Sequence, residues 1–208
     1  MTRPAKTPRI QRRTPQRAGS RETVDVIFEA TARILASDGR AGLNTNRIAE
    51  IAGVSVGGLY GYFPNKDAIL LAMARRELDH VRDRVLAALT RGDSADVHPV
   101  RRAIRALIKG YGTRSKVRRI LMETLFANGG SEDMARPIYE VAEIILAHAG
   151  DILPKGAAAP SHIGLFVLTR AVDGVIRTAT YEGVDFLNSP AFEDELTRLV
   201  MGYFAAPD

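Results

Sequence analysis

The stretch Thr45 to Pro64, TNRIAEIAGVSVGGLYGYFP, decides the fold of this chain. A helix-turn-helix needs a small residue where its two helices cross, a turn residue that tolerates left-handed φ, and apolar positions that lock the pair. Counted from Thr45, the fifth residue is Ala49 and the ninth is Gly53, while positions four, eight, ten and fifteen are Ile48, Ala52, Val54 and Leu59. Every position is suitably filled. The spacing predicts short helices over about 44–51 and 55–62, with Ser55 capping the second, whose first residues then point into a DNA major groove.

A competing reading lies in the same window. Gly53-Val54-Ser55-Val56-Gly57 matches the G-x-S-x-G nucleophile elbow of serine hydrolases, which would make Ser55 a catalytic nucleophile. That chemistry needs a buried strand before Gly53. Residues 44–52 are instead charged and helical in period, and nothing ties His148 or His162 to Ser55 as a base. No enzymatic activity is expected.

Working outward, helical periodicity continues nearly to both ends and no alternating strand pattern interrupts it. Val24, Ile27, Phe28, Thr31 and Leu35 form one stripe after Ser20, a candidate N-cap, and Gly39 stands where that helix would stop. Asn65 caps a long helix with Leu70, Ala74, Leu78, Val81, Val85 and Leu89 on one face, ended by Gly92. The span 92–98 reads as a connection. Pro99 opens a further helix, others follow over about 115–128 and from Ser131 onward, and the loop 154–160 precedes the last two, about 161–182 and 190–205. Pro137 must lie near the start of its helix or kink it. The expectation is an all-α chain of about nine helices without internal repeats.

Composition agrees with a globular protein: 208 residues, 46% hydrophobic and 25% charged. Zero cysteines exclude disulfides, thiolate metal sites and a cysteine nucleophile. The four histidines show no ligand spacing, so neither a metal nor a cofactor is expected. No apolar run approaches the ~20 residues of a membrane span. The N-terminus lacks the apolar core of a signal peptide, which leads us to expect a cytoplasmic chain. The net charge of +5 is concentrated: residues 1–22 carry seven basic side chains against Glu22 alone, leaving the remainder near neutral. Residues 1–19 are therefore expected to be a disordered basic arm, suited to gripping a polyanion such as DNA or merely to keeping the chain soluble.

The segment 43–70, LNTNRIAEIAGVSVGGLYGYFPNKDAIL, following a helix that ends at Gly39, closely resembles the N-terminal domain of TetR family transcriptional regulators. The motif likeness covers about residues 20–75. The resemblance implies a helix-turn-helix domain over 20–66 and a helical effector-binding and dimerisation domain over 67–208. It implies a homodimer on a near-palindromic double-stranded DNA operator, a small-molecule inducer, pairing through the last two helices, and repression as the default role.

Family roles fall on matching positions: Asn44, Thr45, Ser55, Tyr60, Tyr62 and Lys66 match phosphate contacts, and Asn46 with Val56, Gly57 and Gly58 match base-reading positions. Arg47 is a further candidate for phosphate or guanine. The chain departs from the common pattern in having Val56, Gly58 and Gly61, so its second motif helix is poor in hydrogen-bonding side chains. Asn46 suits a bidentate contact to adenine and Val56 a thymine methyl, with the remaining specificity resting on backbone and shape. Three glycines, at about 1 kcal/mol each relative to Ala, leave that helix dependent on packing.

For the inducer, Tyr111, Met122, Glu123, Phe126, Tyr139, His148 and Arg170 are candidate lining residues, each of them equally a candidate for ordinary packing. For dimerisation, two recognition helices must sit about 34–36 Å apart, which only a second subunit supplies. The candidate faces carry Phe166, Arg170, Gly174 and Val175 on one helix and Leu196, Leu199, Val200 and Tyr203 on the next. Asp173 and Arg177 are placed for an intrahelical pair. A low-specificity DNA-binding protein without a ligand is the alternative reading.

Overall fold

The computed structural model describes residues 18–90, 97–112, 115–154 and 156–205. Among them the chain is all-helical, with ten α-helices, two 3₁₀ turns and no strand. The expected arm at 1–19 falls outside the described residues except for Ala18 and Gly19, which already belong to the first helix, and most of the expected connection at 92–98 falls outside them too. No described helix is long and apolar enough to cross a membrane.

Two compact units divide the chain. The first contains α1 (Ala18–Asp38), a 3₁₀ turn at Arg40–Gly42, α2 (Thr45–Ala52), α3 (Val56–Tyr62), α4 (Lys66–Thr90) as far as Arg76, and α6 (Ser115–Ala127) from Lys116 on. Ser20 does not cap α1, which already includes Ala18 and Gly19; a capping residue marks a helix end only where the backbone ladder also stops. The α1 stripe is realised. Ile27, Thr31 and Leu35 are fully buried, and the Thr31 hydroxyl is satisfied by the Ile27 carbonyl at 2.8 Å. Phe28 packs against Phe63, ring centroids 5.8 Å apart.

The second unit holds α4 from Glu77, α5 (Pro99–Gly112), α7 (Ser131–Ala147), α8 (Ala149–Ile152), α9 (His162–Glu182), a 3₁₀ turn at Asp185–Asn188, and α10 (Pro190–Ala205). Its core draws Val81, Val85 and Leu89 from α4, Ile104 and Ile108 from α5, Ile176 from α9, and Leu196 and Val200 from α10. A Cβ at Gly110 would stand 2.9 Å from the Val81 side chain, so α5 crosses α4 closely there. Pro137 is the seventh residue of α7 and is buried within it.

Helix starts match their sequence signals. Asn65 Oδ1 accepts from the Ala68 amide at 2.8 Å, Ser161 Oγ from Gly164 at 3.0 Å and Ser189 Oγ from Phe192 at 3.2 Å. The additional element is the single turn α8. The unit boundary also differs from the expected division after residue 66. Helix α6 joins the first unit because Lys116 Nζ donates to the Ala36 carbonyl at 2.9 Å and Arg40 to Thr124 Oγ1 at 3.1 Å. Hydrophobic period reveals which face of a helix is buried, not what covers it.

Candidate nucleic-acid interface

Helix α2 starts because Asn44, in an extended conformation, turns its Oδ1 back to accept from the Arg47 amide at 2.8 Å. It stops at Gly53, whose φ of 68° and ψ of 29° are left-handed. The Val54 amide then donates to the Ala49 carbonyl at 3.0 Å and the Gly53 amide to Glu50 at 3.2 Å, which is the Schellman pattern of bonds. Two residues after Gly53, Ser55 Oγ accepts from the Gly58 amide at 3.0 Å and α3 begins. Ile48, Ala49 and Leu59 are buried between the helices, and Phe63 closes the end of α3. The six positions read from the sequence therefore fold as expected, with Ala52 and Val54 half-buried.

A helix, not a strand, precedes Gly53, and the Ser55 hydroxyl is engaged as a cap. The strand-turn-helix context of a nucleophile elbow is absent.

The glycine-rich α3 is held from three sides: by its cap, by Leu59 in the core, and by a 3.0 Å hydrogen bond between the Tyr60 and Thr45 hydroxyls. That bond ties α3 to the start of α2. A Cβ built at Gly57 or Gly61 would meet nothing within 4 Å, whereas one at Gly58 would sit 2.9 Å from Ser55 Oγ.

Asn44, Asn46, Ser55, Val56, Gly57, Gly58 and Tyr60 are exposed, while Thr45, Arg47, Tyr62 and Lys66 are half-buried. Lys66, in the first turn of α4, donates to the Leu43 carbonyl at 3.1 Å and so stands next to Asn44 at the head of α2. Arg47 is less free than the sequence suggests: it pairs with Asp38 at 2.6 Å and reaches the Gly42 carbonyl at 3.4 Å. The Asp38 carboxyl is held below its ordinary range by hydrogen bonds, first from Ser37 and then from Arg47. Sequence reasoning missed this pair, and also Arg40, which donates to both Asp67, at 3.0 Å, and Thr124. Ile51 is a further unforeseen feature, 42% exposed on α2.

The candidate inducer residues are divided between the two units. Met122, Glu123 and Phe126 lie on α6 in the first unit, and Tyr111, Tyr139, His148 and Arg170 lie in the second. His148, just past the end of α7, is exposed and turned to the Ile144 carbonyl at 3.1 Å. Tyr111 is buried, and its hydroxyl donates to Asp173 at 2.5 Å, so the Asp173 carboxylate serves Tyr111 in place of the expected pair with Arg177.

The candidate dimer residues separate into two sets. Phe166, Val175, Leu199 and Tyr203 are 44–50% exposed, but Leu196 and Val200 belong to the core. On α10 both sets are apolar, and only packing distinguishes Leu199 and Tyr203 from Leu196 and Val200. Close approach of α9 to α10 is permitted by Gly164, where a Cβ would lie 2.2 Å from the Tyr203 hydroxyl, while Gly174 has nothing within 4 Å.

Residues 27–73 match the model of the family described as bacterial regulatory proteins, tetR family. A 74-residue stretch, 36% of this chain, is 34% identical to the HTH-type transcriptional regulator YuxN of Bacillus subtilis and covers 25% of that protein. A 101-residue stretch, 49% of this chain, is 35% identical to the HTH-type transcriptional regulator BetI 1 of Chromohalobacter salexigens and covers 48% of it. The chain thus spans a quarter of one curated relative and about half of the other. The crystal structure of a TetR family transcription regulator from Marinobacter aquaeolei VT8 superimposes with a TM-score of 0.59 at 21% identity, over 89% of this chain and 96% of that one. At such identity the likeness is one of fold.

Proposed function

We infer that this chain, a TetR family DNA-binding transcriptional regulator, acts as a homodimeric repressor on a near-palindromic operator and leaves it when a small molecule binds. The observation that carries the reading is the α2-turn-α3 unit: two capped helices locked by buried Ala49 and Leu59, offering an exposed face next to Lys66. On that face Asn44, Thr45, Ser55, Tyr60, Tyr62 and Lys66 hold phosphates. Asn46, Val56, Gly57 and Gly58 approach base edges, with Asn46 favouring adenine. Arg47 reaches DNA only by leaving Asp38.

Dimerisation is supported by apolar groups left outside the second unit's core: Val175 on α9, Leu199 and Tyr203 on α10. Release by an inducer requires that the ligand bind one head separation better than another. Helix α4 carries Lys66 at one end and core residues of the second unit at the other, so its tilt is the natural coordinate. Such a protein works where DNA is, in the cytoplasm.

Selection of binding sites from a random DNA pool, followed by footprinting, tests the proposal. Two inverted half-sites separated by about one helical turn, 10–10.5 bp, or a multiple of it, are expected. The scarcity of hydrogen-bonding side chains on α3 favours a second reading, a low-specificity DNA binder. A selected pool without symmetry or consensus would establish that reading instead.

A further inference from the structure

Arg170 is the one candidate residue whose surroundings call for something from outside the chain. Its guanidinium lies over two aromatic rings, 5.1 Å from the centroid of Tyr139 on α7 and 5.3 Å from that of Phe166 on its own helix. One of its terminal nitrogens, Nη1, is buried and has no hydrogen-bond partner among the described residues. Buried polar groups are paired in the great majority of native structures, so an orphan of this kind requires an explanation.

The neighbouring charges do not supply one. Asp173, one turn along α9, is taken by the Tyr111 hydroxyl. On α7, Glu140 is engaged by Arg82 at 2.6 Å and Arg136 at 3.0 Å, and Arg136 in turn by Asp79 at 2.7 Å. Asp173 and Glu140 are thus committed elsewhere, while Arg170 keeps a planar fork oriented by two rings and, among the described residues, no ion-pair partner. Arginine binds carboxylate through that fork with two parallel hydrogen bonds, and ring stacking lowers the freedom lost on binding. Tyr139 and Phe166 are each about half exposed, 52% and 50%, so their outer edges provide apolar contact for a ligand body.

We infer that Arg170, framed by Tyr139 and Phe166, is the anchor for the carboxylate of an amphipathic organic acid. The inference rests on the reading that the chain answers to a small molecule, and it assigns that molecule a chemical class.

The test titrates the full-length protein with benzoate, naphthalene-2-carboxylate and octanoate by calorimetry, each against its neutral amide. Saturable binding at least tenfold tighter for one or more of the acids than for its amide is expected. Arg170→Gln should weaken that binding at least tenfold with helicity retained. Arg170→Lys, keeping charge but losing the fork and the stack, should fall between, and this keeps the test informative if the glutamine variant folds poorly. Equal binding of acids and amides, indifference to both substitutions, or no saturable binding of any of the three acids overturns the assignment. So does an Arg170→Gln variant that sediments as a monomer yet binds the acids normally, since Arg170 would then belong to the subunit interface. Release of a selected DNA site is followed in parallel: acid binding that depends on Arg170 without release sinks the inducer reading and leaves the site, whereas release by the amides alone does the reverse.

Discussion

Gly53 provides the sharpest quantitative test of the helix-turn-helix. Its φ of 68° lies in the left-handed region, yet a Cβ built there meets nothing within 4 Å. The cost of Gly53→Ala is therefore purely conformational. Left-handed φ costs a residue with a Cβ about 1–2 kcal/mol, and the stiffer unfolded chain returns about 0.4–1 kcal/mol, for a net loss of about 1 kcal/mol. That corresponds to about a fivefold change in the folding constant and a Tm lower by about 2–4 °C for a chain of this length. Gly53→Asn should lose less, since Asn is the other frequent occupant of this cap, and Gly53→Val should lose more. The control is Gly61→Ala in α3, where space is equally open and the conformation is helical. There the same added methyl group should stabilise by about 1 kcal/mol. Guanidinium melts at constant slope would report both. Shifts of the same sign at positions 53 and 61 would refute the reasoning, because the opposite signs depend only on the backbone conformation of each.

Phe63→Ala, at a fully buried ring against Phe28, is expected to cost about 3–5 kcal/mol by denaturant titration. Lys66→Ala should reduce the slope of log binding constant against log salt by about 1 while leaving the selected DNA sequence unchanged, as measured by titration at several ionic strengths. The Glu193 carboxyl is held below its ordinary value of 4.5, chiefly by hydrogen bonding from Arg105. A depressed carboxyl stabilises the fold above its unfolded value and loses that contribution as pH falls, so Glu193→Gln should flatten the decline in Tm below about pH 4.5 in acid melts. Leu199→Lys, on the exposed side of α10, should shift the protein toward monomer by sedimentation with little loss of helicity, whereas Leu196→Lys, in the core, should unfold the unit.

The parts of the fold legible in the sequence are those where local geometry dictates residue type. A left-handed turn demands glycine, a crossing demands a small side chain, and a helix start demands an acceptor, so Gly53, Ala49, Asn44, Ser55 and Asn65 could be read one by one. The hydrophobic stripe of α4 was legible for the same reason. What sequence could not show is which surface covers each stripe. Leu196 and Leu199 look alike in a periodic pattern, yet one is buried and the other half exposed. Arg47 looked like a free cation until Asp38, nine residues earlier, was found beside it. Among the candidate ligand residues, Tyr139 and Arg170 meet within the second unit.

The membership of α6 in the first unit bears on how the chain is made. A ribosome that has released residue 76 has not yet produced a complete first unit, because Lys116–Gly130 are still to come. At about 5–20 residues per second, several seconds of translation separate the two pieces. During that interval the nascent helix-turn-helix lacks the acceptor that Arg40 finds on Thr124 and the lysine that caps the Ala36 carbonyl. Competence to grip DNA should therefore arise late in synthesis, once the polypeptide has passed residue 130.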